Sequence, residues 1–339
     1  MHLHLVIPGL LWPSEQARGF ADALPLPALT LLLGRGQTRR QHAESPEQAW
    51  RRIFKLAPET AADASLRRLG EDDGLRETDT VMCADPVHLH FAREHLLLAD
   101  ASELDIRDDE AQTLVASLND VFGDIGRFEA PAPARWYLYP ATLPTARFSP
   151  LGDVTSRPVA HFMPSGEDAA MWQRTMNEIQ IHFHNHPLNA EREARGRRAI
   201  NSVWLWGAGS LPPSLNAPAP ALVMHSPLAC GLARAAGVEP TAAAAFAALK
   251  AGDTLVELDT LLGASRYLDL EPWQAALIQL EADWFAPALA ALRGRRLSRL
   301  TLSVPDERGS LSVDVTPSRL LQFWRRLESL EAFTIVNRL

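Results

Sequence analysis

From residue 203 onward, short apolar runs alternate with amphipathic stretches, and this alternation constrains the fold more than any other feature of the chain. Residues 203–206, 221–225, 254–258, 299–304 and 311–315 read as strands, rich in Val, Leu and Trp. Between them, Ser226-Pro227 places an N-cap and a first-turn proline before a helix that Gly237 stops. Residues 271–292 carry Trp273, Leu277, Leu280 and Trp284 along one helical side. Thr316-Pro317 opens a last helix expected to reach about residue 330. Near the start, Leu3, Leu5, Val6 and Ile7 precede Pro8-Gly9, a buried strand ending in a turn. Strands alternating with helices predict an α/β protein with a mostly parallel sheet covered by helices.

The middle of the chain has another texture. Residues 26–34 form a short helix or strand, and 44–57 a helix with Trp50, Ile53 and Phe54 on one face. The charged stretch 58–79 reads as loop and mobile helix, and 81–83, 88–98 and 136–139 as short strands. An amphipathic helix spans 108–122, with Asp108, Asp109 and Glu110 in its first turn, where the helix dipole favours negative charge. A second begins at Ser165, paired with Asp168 as a capping box. It buries Trp172, Met176, Ile179 and Phe183 and ends at Pro187. The alanine-rich run 242–248 is good helix former. The expected domains are 1–84 with 195–339 as a discontinuous core, and 85–194 as an inserted, smaller α+β domain.

Composition removes several function classes. The 339 residues carry 41 acidic against 33 basic side chains, a net charge of −8, which argues against a nucleic-acid partner. Lys55 and Lys250 are the two lysines, and neither sits in a P-loop. Gly34/Gly36 and Gly207/Gly209 lack the third glycine of a dinucleotide fingerprint, and no Gly-x-Ser-x-Gly, His-Glu-x-x-His or Cys-x-x-Cys occurs. Cys83 and Cys230 cannot build a disulfide framework, which fits a reducing cytoplasm. Apolar runs such as 25–33 are far short of the ~20 residues of a membrane span, and the start lacks a signal peptide's basic region, so no membrane partner is expected.

Two segments concentrate chemistry. His182 and His186 lie one helical turn apart, a spacing that suits a mononuclear metal site. The buried Phe183 between them and the lack of a third ligand nearby favour a structural role. The block His186, Asn189, Arg192, Asn201, Gly207 and Gly209 runs into a strand ending in Gly-x-Gly. It is either the edge of a ligand site or a turn–helix–turn whose Asn and Arg satisfy backbone carbonyls, and the residues alone leave both open. Ser226 reads mainly as a helix cap, with a nucleophile or an anion-binding hydroxyl as the sharper alternative.

That block resembles the archaeal-type cofactor-independent phosphoglycerate mutases of the alkaline-phosphatase superfamily. Its counterpart there reads His-Pro-Val-Asn, Arg, Gly, Ala-Asn and Leu-x-Gly-x-Gly; the stretch from Ser226-Pro227-Leu228 to Gly231 and Gly237, and the helix 108–119, are also similar. Ala84-Asp85-Pro86-Val87-His88-Leu89, Arg135-Trp136-Tyr137 and Asn201 to Trp206 resemble the bacterial RpfE-type regulatory proteins still more closely. The resemblance implies an alkaline-phosphatase-like sheet, and in the enzymes a two-metal centre. The departures fall on that centre. Pro8-Gly9 stands where the enzymes have a metal-binding Asp-Gly, and the nucleophile's Pro-Gly-Ser-Asp turn is missing, with Ser45 and Ser65 in no such context. The stretch 259–269 holds no histidine, and Asp306-Glu307 replaces an Asp-His pair. The expectation is a catalytically degenerate, phosphoglycerate-mutase-like regulatory or ligand-binding protein without a cofactor. Its partners would be a small phosphorylated or anionic ligand and a regulatory protein. The alternative is an active metal-dependent mutase or phosphohydrolase, holding Mn or Zn on substituted ligands such as Asp259, Asp269, Asp306 and Glu307.

Overall fold

A computed structural model of the chain describes residues 1–13, 24–57, 62–71, 75, 79–92, 94–155 and 157–334. The strands are β1 (His2–Val6), β2 (Gln37–Arg40), β3 (Val81–Ala92), β4 (His95–Ala99), β5 (Gly126–Ala132), β6 (Arg135–Pro140), β7 (Ser202–Gly209), β8 (Ala221–Val223), β9 (Thr254–Glu257), β10 (Arg299–Val304) and β11 (Leu311–Val315). They divide between two compact units, 1–56 with 215–339, and 57–214.

The first unit holds a six-stranded sheet in the order β2-β11-β10-β1-β9-β8. β10, β1, β9 and β8 run parallel, while β11 and β2 close one side antiparallel. Alternation sends Leu3, Leu5, Leu300, Leu302, Val313 and Val315 into the main core. The opposite face carries His2 and His4, which meet Thr301 Oγ1 at 2.9 Å and Ser303 Oγ at 2.8 Å.

The stretch Leu270–Arg293 is helical for 24 residues and is apolar and long enough to cross a membrane by length and composition. It packs inside the unit instead, with Trp273, Leu277, Leu280, Trp284, Phe285, Ala288 and Leu292 in the core. Pro287 has no N–H to donate back to residue 283, and the helix widens there into a π turn over Glu281–Phe285. Glu281 then caps another helix from afar. Its carboxylate accepts the N–H groups of Ala28 (2.6 Å) and Leu29 (3.0 Å) at the start of Pro27–Arg35, which has no cap of its own.

The second unit is antiparallel. β4-β3-β6-β5 form the sheet, and β7 pairs with the first half of β3. The amphipathic helices Asp108–Phe122 and Ala169–His184 bury the predicted stripes, among them Leu114, Leu118, Trp172, Met176, Ile179 and Phe183.

Several expectations change. Strand β7, placed by the sequence reading in the parallel sheet, is antiparallel to β3, so the units divide at 56/57 and 214/215 rather than at 84/85 and 194/195. Residues 81–92 form one strand, because its two halves take different partners, β7 and β4. The described part of 58–79 contains a buried helix, Asp63–Gly70, while 58–61, 72–74 and 76–78 lie outside the described residues. The second long helix starts at Ala169. Asp168 accepts the Thr145 N–H instead of capping, and Ser165 bridges backbone to backbone with Arg147. The alanine-rich run yields only the 3-10 turn Phe246–Ala248. The last predicted helix stops at Leu320, since residues 326–328 cross Pro27–Arg35 at Gly34, backbone against backbone.

Candidate functional site

Ligands of open parallel sheets bind beyond the carboxyl ends of the strands, so the first unit's chemistry is decided where β1, β8 and β9 end. Beyond β1 the space is filled. Gly9 has φ +78°, and a Cβ there would stand 2.9 Å from the Leu261 carbonyl and Leu262 Cα. Its carbonyl accepts Trp273 Nε1–H at 2.8 Å. Leu10, Leu11, Trp12 and Leu261 are buried around it, and the Trp12 and Trp273 rings meet edge to face at 5.1 Å. A phosphorylated substrate and two metal ions need polar space at this position; a close-packed apolar plug occupies it.

Beside the plug, past the ends of β8 and β9, lies a cleft of about 450 Å³. One wall is apolar (Ala243, Ala244, Leu280, Trp284), and Glu257, Asp259 and Asp283 supply carboxylates. Ser226 caps the helix Pro227–Ala235 as predicted, its Oγ accepting the Ala229 N–H. The open end of that helix is taken by the chain itself. Glu257 accepts the N–H groups of His225 and Ser226, both at 2.8 Å, and the Ser226 hydroxyl at 2.6 Å. The carboxylate therefore sits where an anionic ligand would otherwise bind a helix N-terminus. Burial pushes the Glu257 carboxyl above the usual range, against the hydrogen bonds that hold it down.

The substituted-ligand set does not gather. Asp259 faces the cleft, Asp269 stands at the start of Leu270–Leu280, and Asp306 is held by the Arg308 side chain and backbone N–H at 2.8–3.0 Å. Among the described residues, no group of three or more His, Cys, Asp or Glu side chains is arranged to hold a metal ion. Among the described residues, the side chains present do not fit the two-metal centre that the resemblance implies.

In the second unit, the block 186–209 spends its polar atoms on backbone groups and a carboxylate of the same unit. His186 is the N-cap of Pro187–Ala194, its Nδ1 accepting the Leu188 N–H at 3.2 Å. Asn189 donates to the carbonyls of Phe183 (2.7 Å) and Ile200 (2.8 Å) and accepts the Ile200 N–H (2.8 Å). Asn201 ties to Leu89 through both N–H and carbonyl, at 2.7 and 2.8 Å. Arg192, only 1% exposed, donates to the Arg198 carbonyl at 2.9 Å, to Glu110 Oε2 at 2.6 Å and to the Leu104 carbonyl. Gly207, at φ +68°, lies against the Asp63–Ala64 backbone, and Gly209 pairs with Val81. His182 and His186 are neighbours with ring centroids 6.1 Å apart, and His182 Nε2 meets Ser117 Oγ at 3.1 Å. Burial, and then His182, hold His186 below the usual imidazole range.

Sequence reasoning missed the cluster these strands enclose. Arg67 forks onto Asp85 with two 2.8 Å bonds, Trp206 Nε1 donates to the same carboxylate at 2.7 Å, and Arg67 Nε reaches the Tyr137 hydroxyl at 2.9 Å. That hydroxyl donates to Glu71 at 2.7 Å. Asp85, Tyr137 and Trp206 come one each from the segments 84–89, 135–137 and 201–206. Their convergence on Arg67 was hidden because the charged 58–79 stretch reads as loop and mobile helix. Burial raises both the Cys83 thiol and the Tyr137 phenol, keeping them neutral.

No protein-family model matches the chain. Over 147 residues it is 31% identical to 2,3-bisphosphoglycerate-independent phosphoglycerate mutase 2 of Methanothermobacter thermautotrophicus, covering 42% of this chain and 34% of that protein. Over 122 residues it is 26% identical to the 2,3-bisphosphoglycerate-independent phosphoglycerate mutase of Methanosarcina barkeri, covering 35% and 31%. It is a relative of these mutases at low identity. The match spans about a third of the length of these curated relatives. The PH0037 protein from Pyrococcus horikoshii superposes on 93% of this chain and 87% of its own, with a TM-score of 0.56 at 15% identity, a shared fold.

Proposed function

We propose that this protein is a catalytically silent relative of the phosphoglycerate mutases, a regulatory or ligand-binding protein of the RpfE type on an alkaline-phosphatase-like scaffold. The observation that carries the reading is the apolar plug of Leu10, Leu11, Trp12, Leu261 and Trp273 beyond β1. Two-metal phosphoryl transfer needs charged ligands at the ends of such strands to hold both ions and activate a nucleophile. Here the first strand leads instead into Pro8-Gly9 and two interlocked indoles. The neighbouring cleft supports the same reading, since Glu257, Asp259 and Asp283 repel a phosphorylated acid. A small anionic ligand is therefore a poor match for this cleft, and an uncharged or cationic one a better match.

The test combines metal content with activity. The protein is incubated with Mn²⁺ or Zn²⁺, desalted and analysed for bound metal, then assayed for interconversion of 3- and 2-phosphoglycerate. No retained metal and no turnover are expected. Two equivalents per chain with metal-dependent turnover would establish the active enzyme instead. One equivalent, lost in a His182→Ala/His186→Ala chain, would establish a mononuclear histidine site.

A further inference from the structure

One corner of the 1–56/215–339 unit carries an exposed apolar knob among arginines. After the short helix Pro317–Leu320, the chain crosses Pro27–Arg35 at Gly34, where a Cβ would stand 2.6–2.8 Å from backbone atoms of residues 326–328. Leu321, Phe323, Trp324 and Leu327 then stand 72, 80, 69 and 56% exposed. Single exposed apolar residues are ordinary, but large ones crowded within seven positions mark an interaction surface.

Arg319, Arg325 and Arg326 belong to the same stretch. Arg35 and Arg40 approach it from beneath. Arg35 Nη2 donates to the Phe323 carbonyl at 2.9 Å, Arg325 Nη1 to the Arg35 carbonyl at 3.4 Å, and Arg40 Nη2 to the Ala332 carbonyl at 3.3 Å. Arg319 is held to Gln37 at 2.7 Å. Glu328 and Glu331 are the acidic side chains of the stretch 319–334, against Arg319, Arg325 and Arg326 within it and Arg35 and Arg40 beside it. On a chain of net charge −8, this corner is locally cationic.

We propose that this corner docks the protein peripherally onto an anionic lipid bilayer. The aromatic and leucine side chains would enter the interfacial layer, and the guanidinium groups of the exposed Arg326 and the half-buried Arg325 would pair with lipid phosphates. The chemistry favours lipid over other polyanions. Phe323 and Trp324 pack edge to face, 5.2 Å apart at 79°, which leaves no parallel slot for a nucleic-acid base, and leucines offer no stacking face. An acidic polypeptide would engage the arginines but leave the knob in water unless it carried a matching pocket. A bilayer needs no pocket. The contact is on the surface and requires no spanning segment, so it departs from the expectation of no membrane partner, which rested on the short apolar runs and the start of the chain.

The test uses the full chain with vesicles of phosphatidylcholine, alone or with about a third phosphatidylglycerol. Cosedimentation with the anionic vesicles only, weakening as salt rises, is expected. Phe323→Ser with Trp324→Ser should weaken it at least tenfold. Arg325→Gln with Arg326→Gln should weaken it about 25-fold, at about fivefold per arginine. Failure of the unsubstituted protein to bind anionic vesicles at low salt would overturn the proposal. So would equal binding to neutral vesicles, or unchanged binding by both folded variants. Binding to polyglutamate without binding to vesicles would assign the corner to an acidic protein and overturn the lipid reading. The dependence of the unsubstituted protein on lipid charge decides the matter even if a variant fails to fold.

Discussion

Replacing Arg192 with methionine separates the two readings of the 186–209 block. Arg192 is buried and gives its donors to Glu110 and to the carbonyls of Arg198 and Leu104. Breaking a buried ion pair costs about 3–5 kcal/mol because a charge is left uncompensated. Glu110 would keep Arg197 Nη1 and the Arg107 N–H, each at 3.0 Å, which puts that part near the lower end. Two carbonyls losing a partner add about 1 kcal/mol each, less what methionine recovers by packing. The expected loss is about 4 kcal/mol, and about 2 kcal/mol for Arg192→Lys, which keeps the charge without the fork. Urea unfolding measures the total, and hydrogen exchange assigns it: protection should fall in 57–214 and persist in 1–56 and 215–339. An Arg192→Met variant that lost under about 1 kcal/mol and kept native exchange would refute the structural account. The block would then be a ligand edge rather than a clasp.

Two further outcomes follow from single groups. Burial holds His4 at a pKa of about 4, below its ordinary 6.5, so between those values the unfolded chain binds the proton more readily. The contribution of neutral His4 is present above pH 6.5 and lost as pH falls towards 4, at most about 3 kcal/mol. Melting temperature against pH should therefore fall less steeply in acid for His4→Gln, and parallel curves would contradict this. Glu257→Ala should cost about 1–3 kcal/mol by orphaning N–H groups at the start of Pro227–Ala235. The vacated helix end should then accept phosphate, raising the variant's melting temperature more than that of the unsubstituted chain. Equal shifts would show that the carboxylate does not occupy an anion position.

Much of both units was legible because the signals are local. Ser226-Pro227 caps a helix wherever the rest of the chain goes, and Gly237 ends it at φ +73°. The stripe Trp172–Met176–Ile179–Phe183 needs only helical spacing to define a buried face. The charged run around Arg67 and Arg68 misled for the same reason. Locally it looks solvated, yet Asp85, Arg135, Tyr137 and Tyr139 bring it partners from up to 71 residues away. The site suffered most from this. Motif spacing marked Asn189, Arg192 and Asn201, whose carbonyl partners appear only once Leu89, Leu104 and Ile200 are folded against them.

The sequence by itself determined most of the strands and the long amphipathic helices, because capping and periodicity act within a few positions. The tertiary structure alone decided that β7 joins β3 rather than the parallel sheet and that Glu257 fills a helix end 31 residues away. It alone showed that Trp12 and Trp273 close the end of β1. Those outcomes depend on burial and on hydrogen-bond partners distant in the chain, and no local pattern encodes where a desolvated charge or ring finds its partner.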